Sequence, residues 1–323
     1  MINAIPLIDF SNFNTNKSAI AKQVNQACLQ QGFFYVAGHD VSSSLQSRLE
    51  LLSHHFFALP ENEKMQIAMH KAGKAWRGYF PLNSELTSGK PDLKEGIYFG
   101  TELGKDDPRV QQGLPLHGTN LFPVDPLGFK EAVLEYMDAV TNVGHLVMKA
   151  ISLSLQLNED YFFKKYNQDP LILFRIFHYP SQKDQTRWGV GEHTDYGLLT
   201  ILKQDNTGGL QVKTAAGWTG APPIENTFVC NIGDMLERLT GGLYSSTPHR
   251  VINTSGKDRY SFPLFFDPGF NTSIECIESV THIHETKNQR WDKSSVHEFA
   301  GTYGEYLINK IGKVFPGLKN DVL

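Results

Sequence analysis

Apolar positions in the opening stretch switch between strand-like and helix-like spacing, and each switch marks an element. Ile5-Pro6-Leu7-Ile8-Asp9-Phe10 reads as a short strand, its proline tolerated only at the start. From Lys17 to Gln31, Ile20, Val24, Ala27 and Cys28 recur at helical spacing, and Gly32 supplies a C-cap. Phe33-Phe34-Tyr35-Val36-Ala37 is aromatic and β-branched, the composition of a buried strand. Ser42, Ser43 and Ser44 then offer N-caps to a helix carrying Leu45, Leu49, Leu52 and Phe56, which must stop before Pro60. This opening predicts a small mixed α/β section.

Periodicity fades between residues 70 and 123, where Gly, Pro and polar residues predict short segments at most. An irregular region of that length in a compact protein is usually functional. Helical spacing returns from Pro126 to about Leu157, where Phe129, Val133, Met137, Val140, Val147 and Ile151 form the stripe of one long helix. Such a helix spans about 45 Å and braces one side of the molecule, with Gly144 as a place to bend.

Beyond Asp169 the chain breaks into short apolar runs separated by Gly, Pro and Asn. They are Leu171–Tyr179, Leu198–Lys203, Leu210–Lys213, Phe228–Asn231, His249–Asn253, Tyr260–Phe266 and Ser273–His284. Many short strands at this spacing predict a sandwich or barrel, and a jelly roll fits best. Glu298–Val314 follows as a helix through Phe299, Tyr303, Tyr306, Leu307 and Ile311. The expected fold is mixed α and β: a double-stranded β-helix (jelly roll) core with an N-terminal α/β section and flanking helices. Residues 1–123 and 124–323 are expected to form its two regions within one compact unit.

Composition says more about partners than about fold. The 323 residues are 40% hydrophobic and 20% charged, enough apolar content for a substantial core. A formal net charge of -4 argues against a nucleic-acid partner recruited by bulk charge. Cys28, Cys230 and Cys276 are too sparse and scattered for a disulfide framework or a thiolate metal site. Met1–Pro6 lacks a basic stretch followed by an apolar run, and no segment is long and apolar enough to span a membrane. The expectation is a cytoplasmic monomer that acts on a small molecule.

His193-Thr194-Asp195 places two candidate metal ligands two residues apart, which a strand turns to one face. His249 opens a later strand and offers a third. Two nitrogens and a carboxylate suit Fe(II) better than calcium or magnesium, and the lack of a nearby thiolate argues against structural zinc. This is the donor set of the 2-His-1-carboxylate centres in non-haem iron oxygenases. Spacing alone is weak ground, because the chain has 12 histidines and a lone His249 reads first as a core residue. Arg259-Tyr260-Ser261 shifts that balance. Alternation puts Arg259 and Ser261 on one face, where a guanidinium and a hydroxyl can grip a carboxylate. A metal triad followed by such an anchor predicts an organic acid held beside the metal. His282 and His284, set among Glu278, Glu285 and Lys287, read instead as a solvated strand face, and His54-His55 as helix packing.

At these residues the chain resembles the Fe(II)- and 2-oxoglutarate-dependent oxygenases of the isopenicillin N synthase-like group. The resemblance rests on His193-Thr194-Asp195, His249-Arg250-Val251 and Arg259-Tyr260-Ser261. Phe228–Asp234, Leu239-Thr240-Gly241-Gly242, His178-Tyr179-Pro180, Ile5–Phe10 and Gly32–Gly38 support it. It implies that His193, Asp195 and His249 bind Fe(II), and that Arg259 and Ser261 hold the distal carboxylate of 2-oxoglutarate with help from Tyr179. It also implies that residues 1–123 are the group's N-terminal region and 124–323 its catalytic jelly roll. Plant members commonly carry asparagine two positions before that tyrosine, where this chain has Phe177. The family glycine after Gly38-His39 is Asp40 here, a turn variation. The implied reaction consumes O2, converts 2-oxoglutarate to succinate and CO2, and removes hydrogen from a substrate at the iron. No side chain is implied as a catalytic acid or base.

Arg77, Lys94 and Arg175 are the candidate pocket cations, and Tyr79, Tyr98 and Phe265 the candidate apolar walls. Arg175 shares a strand face with Tyr179, four residues on. Together they predict a small acidic, amino-acid-derived substrate, oxidised by hydroxylation, desaturation or oxidative cyclisation. The plainer alternative places Lys94 and Arg175 in structural ion pairs. Two other functions compete. A ring-forming oxidase of the isopenicillin N synthase type needs no 2-oxoglutarate and uses the same Arg-x-Ser pair on its substrate. A non-enzymatic binding protein on a decayed oxygenase fold predicts gaps in the triad or anchor, and the sequence has none.

Overall fold

The opening elements form where the spacing requires them. β1 (Leu7–Asp9) lies parallel to β2 (Phe33–Ala37), and α1 (Phe13–Gln30) between them buries Ile20, Val24, Ala27 and Cys28. α2 (Ser43–Phe57) begins on Ser42, whose hydroxyl accepts from the Leu45 N–H, the expected cap. The structure, a computed structural model, describes residues 5–87, 89–124, 128–181, 188–280, 292 and 295–314.

After the short α3 (Glu61–Lys64), residues 70–123 hold more regular structure than their composition predicts. β3 (Gly78–Phe80) and β6 (Glu95–Gly100) are fully buried strands, linked through the small hairpin β4 (Leu86–Thr87) and β5 (Lys90–Pro91). Glycine masks them in the sequence, and packing explains it. A Cβ at Gly96 would sit 2.8 Å from the Phe177 and Phe80 rings, which fill that space instead. A one-turn α4 (Pro108–Gln111) completes this region.

The later strands are β7 (Leu171–Tyr179), β8 (Val190–His193), β9 (Leu199–Gln204), β10 (Leu210–Thr214), β11 (Gly217–Gly220), β12 (Phe228–Ile232), β13 (His249–Val251) and β14 (Arg259–Asp267). They complete an eight-stranded sheet, β1-β2-β12-β9-β14-β7-β6-β3, and a four-stranded sheet, β11-β10-β13-β8. This two-sheet core with flanking helices is the jelly roll the strand spacing predicts. β8 and β11 escape sequence reading because each is four residues long and contains glycine. In the predicted strand Ser273–His284, the described residues 273–280 form no strand. Ser273 makes a single bridge to Thr302, Glu278–Val280 is a 3-10 turn, and 281–284, with His282 and His284, lie outside the described residues.

The long helix, α5 (Phe129–Ser154), is 26 residues, about 39 Å, and packs on α1, α2 and the large sheet. Gly144 does not bend it. A Cβ there would lie 2.5 Å from the Phe266 ring, so the glycine lets helix and β14 approach closely. Beyond α6 (Tyr161–Lys165) and α7 (Asp234–Leu239), the last helix, α8, spans Tyr303–Val314 rather than starting at Glu298. Gly301 at φ +141° precedes it, a backbone setting that a helix cannot pass through. No helix among the described residues is long and apolar enough to cross a membrane.

Candidate active site

β8 and β13 are antiparallel neighbours, and their register sets His249 directly opposite His193. The two rings lie 4.2 Å apart, centroid to centroid. Asp195 leaves the end of β8 and reaches the large sheet, where Thr200 Oγ1 and Asn231 Nδ2 donate to its Oδ2 at 2.6 and 2.7 Å. Its other oxygen, Oδ1, stands 3.9 Å from His193 Nε2 and 3.8 Å from His249 Nε2. Each imidazole turns Nδ1 toward a backbone carbonyl, Gly191 at 2.8 Å and Thr247 at 3.3 Å, which aims Nε2 inward. Three ligand atoms within 4.8 Å of one another result.

Burial and, after it, the neighbouring His193 push His249 down to about 4, so its ring is neutral, the state in which imidazole ligates a metal. Burial opposes ionisation of Asp195. His249, His193, Asn231 and Thr200 outweigh it and hold the carboxyl below its usual range. Two imidazoles and one carboxylate without a neighbouring thiolate fit Fe(II), with room on the open side for a co-substrate.

Arg259 pairs with Tyr179 across β14 and β7, and its guanidinium packs 4.7 Å from the Tyr179 ring. The side chain is 0% exposed. Nε donates to the Gly208 carbonyl and Nη2 reaches Gln204 at 3.5 Å, while Nη1 has no hydrogen-bond partner among the described residues. Ser261, on the same strand face, donates its hydroxyl to Tyr179 Oη at 3.4 Å. A buried cation with an open donor edge is costly unless an anion completes it. A carboxylate would complete it with charge-assisted hydrogen bonds.

All six residues line one cavity of about 460 Å³ between the sheets, which Leu307, Lys310 and Ile311 of α8 border. Four of the expected substrate residues, Lys94, Tyr98, Arg175 and Phe265, line it as well. Arg77 and Tyr79 do not. Arg77 is 1% exposed and donates to the carbonyls of Thr101, Gly118 and Leu116, so it ties the 70–123 region together. Tyr79 turns away and donates to Glu95 at 2.5 Å, because alternation along β3 gives it to the far side of the sheet. Lys94 is only 2% exposed and sits between Glu85 at 2.9 Å and Asp92 at 2.7 Å, the structural ion pairing that was the plainer alternative. Burial would lower its ammonium, but Asp92 and Glu85 hold it above its ordinary range.

Sequence reading missed several members of the site. Glu85 carries no spacing signal, since the β4–β5 hairpin folds it back to Lys94. Asn231 falls in a stretch that supports the resemblance, yet only β12 pairing with β9 shows it beside Thr200, both on Asp195. Asp267 and Tyr303 also line the cavity, hydrogen-bonded to each other between β14 and α8.

Two imidazoles and a carboxylate inside a jelly roll, beside a buried cationic anchor, define the site class of a non-haem iron oxygenase. Comparison with known proteins agrees. Residues 5–125 match the family described as non-haem dioxygenase in morphine synthesis N-terminal, and 170–268 match the 2OG-Fe(II) oxygenase superfamily. A probable iron/ascorbate oxidoreductase of Dictyostelium discoideum is 52% identical over 100% of this chain and 98% of its own. The 1-aminocyclopropane-1-carboxylate oxidase of Dictyostelium mucoroides is 40% identical over 98% of this chain and 96% of its own, and an Arabidopsis thaliana homoarginine-6-hydroxylase 35% over 97% and 90%. Among solved structures, a 2OG-Fe(II) oxygenase family protein from Caulobacter crescentus superposes with a TM-score of 0.80 at 30% identity, covering 95% of this chain and 98% of that one. The chain belongs to the Fe(II)- and 2-oxoglutarate-dependent oxygenases and is a non-haem dioxygenase of that family. Its cofactor is Fe(II) and its co-substrates are 2-oxoglutarate and O2.

Proposed function

We propose that His193, Asp195 and His249 hold the Fe(II), that Arg259 and Ser261 with Tyr179 receive the far carboxylate of 2-oxoglutarate, and that the enzyme oxidises a small acidic, amino-acid-derived metabolite by hydroxylation, desaturation or oxidative cyclisation. One observation carries this reading. Arg259, whose buried Nη1 has no hydrogen-bond partner among the described residues, lines the same cavity as the three converging ligand atoms. Iron and the keto acid supply the oxidising power when bound. The side chains orient and shield. Thr200 and Asn231 fix one oxygen of Asp195 so that the other faces the metal position, and Phe33 packs 5.3 Å from the His249 ring.

Arg175 supports an acidic substrate, and the names of two relatives, a 1-aminocyclopropane-1-carboxylate oxidase and a homoarginine-6-hydroxylase, support an amino-acid-derived one. In this reading residues 1–123 supply part of the substrate wall through Lys94 and Tyr98, and 124–323 hold the oxidant. The net charge of -4 favours a small-molecule substrate over nucleic acid, and we take the chain to act as a cytoplasmic monomer.

The test is succinate formation from 2-oxoglutarate by the Fe(II)-loaded protein under O2, against a panel of amino acids and small carboxylates, with each candidate's mass change recorded. Substrate-dependent succinate supports the reading. Product without succinate would instead indicate the ring-forming oxidase.

A further inference from the structure

Arg175 occupies a built socket in the cavity wall. Its guanidinium lies between two rings, 3.8 Å from the Tyr98 centroid and 4.9 Å from that of Phe265. Nη1 donates to the Tyr98 hydroxyl at 2.7 Å and stands 3.7 Å from Glu85 Oε1. Nε is buried and has no hydrogen-bond partner among the described residues. The socket therefore fixes the plane of the guanidinium and leaves it donor capacity, which is how a carboxylate is gripped.

Charge narrows the ligand further. Glu85, Asp92, Lys94 and Arg175 lie in one cluster and carry formal charges that sum to zero. Lys94 has both carboxylates within 2.9 Å and no charge to spare. A carboxylate arriving alone on Arg175 would leave the cluster with an uncompensated negative charge in a poorly solvated cavity, which is unfavourable. A carboxylate that brings its own ammonium leaves the sum at zero. Glu85 is the acceptor for that ammonium, because its Oε1, which accepts from the Tyr98 hydroxyl at 2.7 Å, is a carboxylate oxygen only 3.7 Å from Arg175 Nη1.

We infer that the cavity selects a zwitterionic α-amino acid, with Arg175 on its carboxylate and Glu85 on its ammonium. The inference rests on the proposed role of this cavity as the substrate space of a 2-oxoglutarate oxygenase, and narrows an acidic substrate to one whose charge is internally balanced. Tyr98 and Phe265 act as positioning residues through Arg175.

The experiment uses the full chain loaded with Fe(II) and 2-oxoglutarate under argon, so that ligands bind without turnover. Melting shifts are titrated with the proteinogenic L-amino acids, each beside its des-amino carboxylate. At least one amino acid should bind, and its des-amino partner should bind roughly tenfold or more weakly. Arg175→Met should abolish the preferred amino acid's shift. Glu85→Gln should retain the shift but narrow the preference for the amino form. Equal affinity of the paired ligands, unchanged affinity in Arg175→Met, or no shift with any amino acid overturns the inference. The wild-type pairing needs no variant to fold. Succinate formation driven by a ligand that is not an amino acid would defeat this inference alone, leaving the oxygenase reading intact.

Discussion

Asn231 donates from β12 to Asp195 Oδ2 at 2.7 Å, so a neutral amide on one sheet fixes the carboxylate that faces two histidines on the other. Thr200 reinforces the same oxygen at 2.6 Å. Partners of this kind orient a ligand without touching the metal.

Asn231→Ala is therefore expected to weaken Fe(II) binding roughly 10- to 100-fold while leaving the fold intact. Anaerobic Fe(II) titration followed by calorimetry measures it. An unchanged affinity would show that Thr200 alone orients the carboxylate.

Gly144 makes a second, purely structural prediction. Its missing side chain admits the Phe266 ring, which a Cβ would meet at 2.5 Å. Gly144→Ala improves helix propensity yet should destabilise the protein by about 1–3 kcal/mol, because overpacking outweighs the propensity gain of about 1 kcal/mol. Urea unfolding decides the sign.

These two residues also mark what the sequence discloses and what it withholds. Apolar spacing places α5, β2 and β7, since each has an uninterrupted pattern of one period. It misplaces the role of Gly144 because a bend and a close contact leave the same letter. The metal ligands are legible because the His-x-Asp spacing keeps Asp195 beside His193 even though β8 ends at His193, and because Arg259 and Ser261 alternate onto one face of β14. Arg77 misleads because its partners are carbonyls from other segments, whereas Lys94 lines the cavity as expected but has its charge taken up by Glu85 and Asp92. Glu85 becomes visible only once the β4–β5 hairpin folds it back.

Asp267 predicts a pH effect. Burial, against the Tyr303 hydrogen bond, pushes its carboxyl from an ordinary 3.8 up to about 7. The unfolded chain loses that proton near the ordinary value, so between about pH 4 and pH 7 the folded state holds a proton the unfolded state does not. Asp267's contribution is thus fully present below the ordinary value and is lost as pH rises through about 7. Asp267→Asn cannot ionise and still accepts from Tyr303. The Tm of the variant minus that of wild type should become more positive from about pH 5 to about pH 8. A difference that stays flat across that range contradicts the assignment.

The central claim is that the three-ligand cluster and the Arg259 edge form the two halves of one site for metal and keto acid. Anaerobic calorimetric titration of 2-oxoglutarate into the Fe(II)-loaded protein tests it most directly, in wild type, in Arg259→Met and in the metal-free chain. One 2-oxoglutarate per chain should bind to the wild type with iron. Affinity should fall by roughly 10- to 100-fold or more in Arg259→Met, as expected for losing charge-assisted hydrogen bonds, and comparably without the metal. Equal affinity in all three would contradict the account.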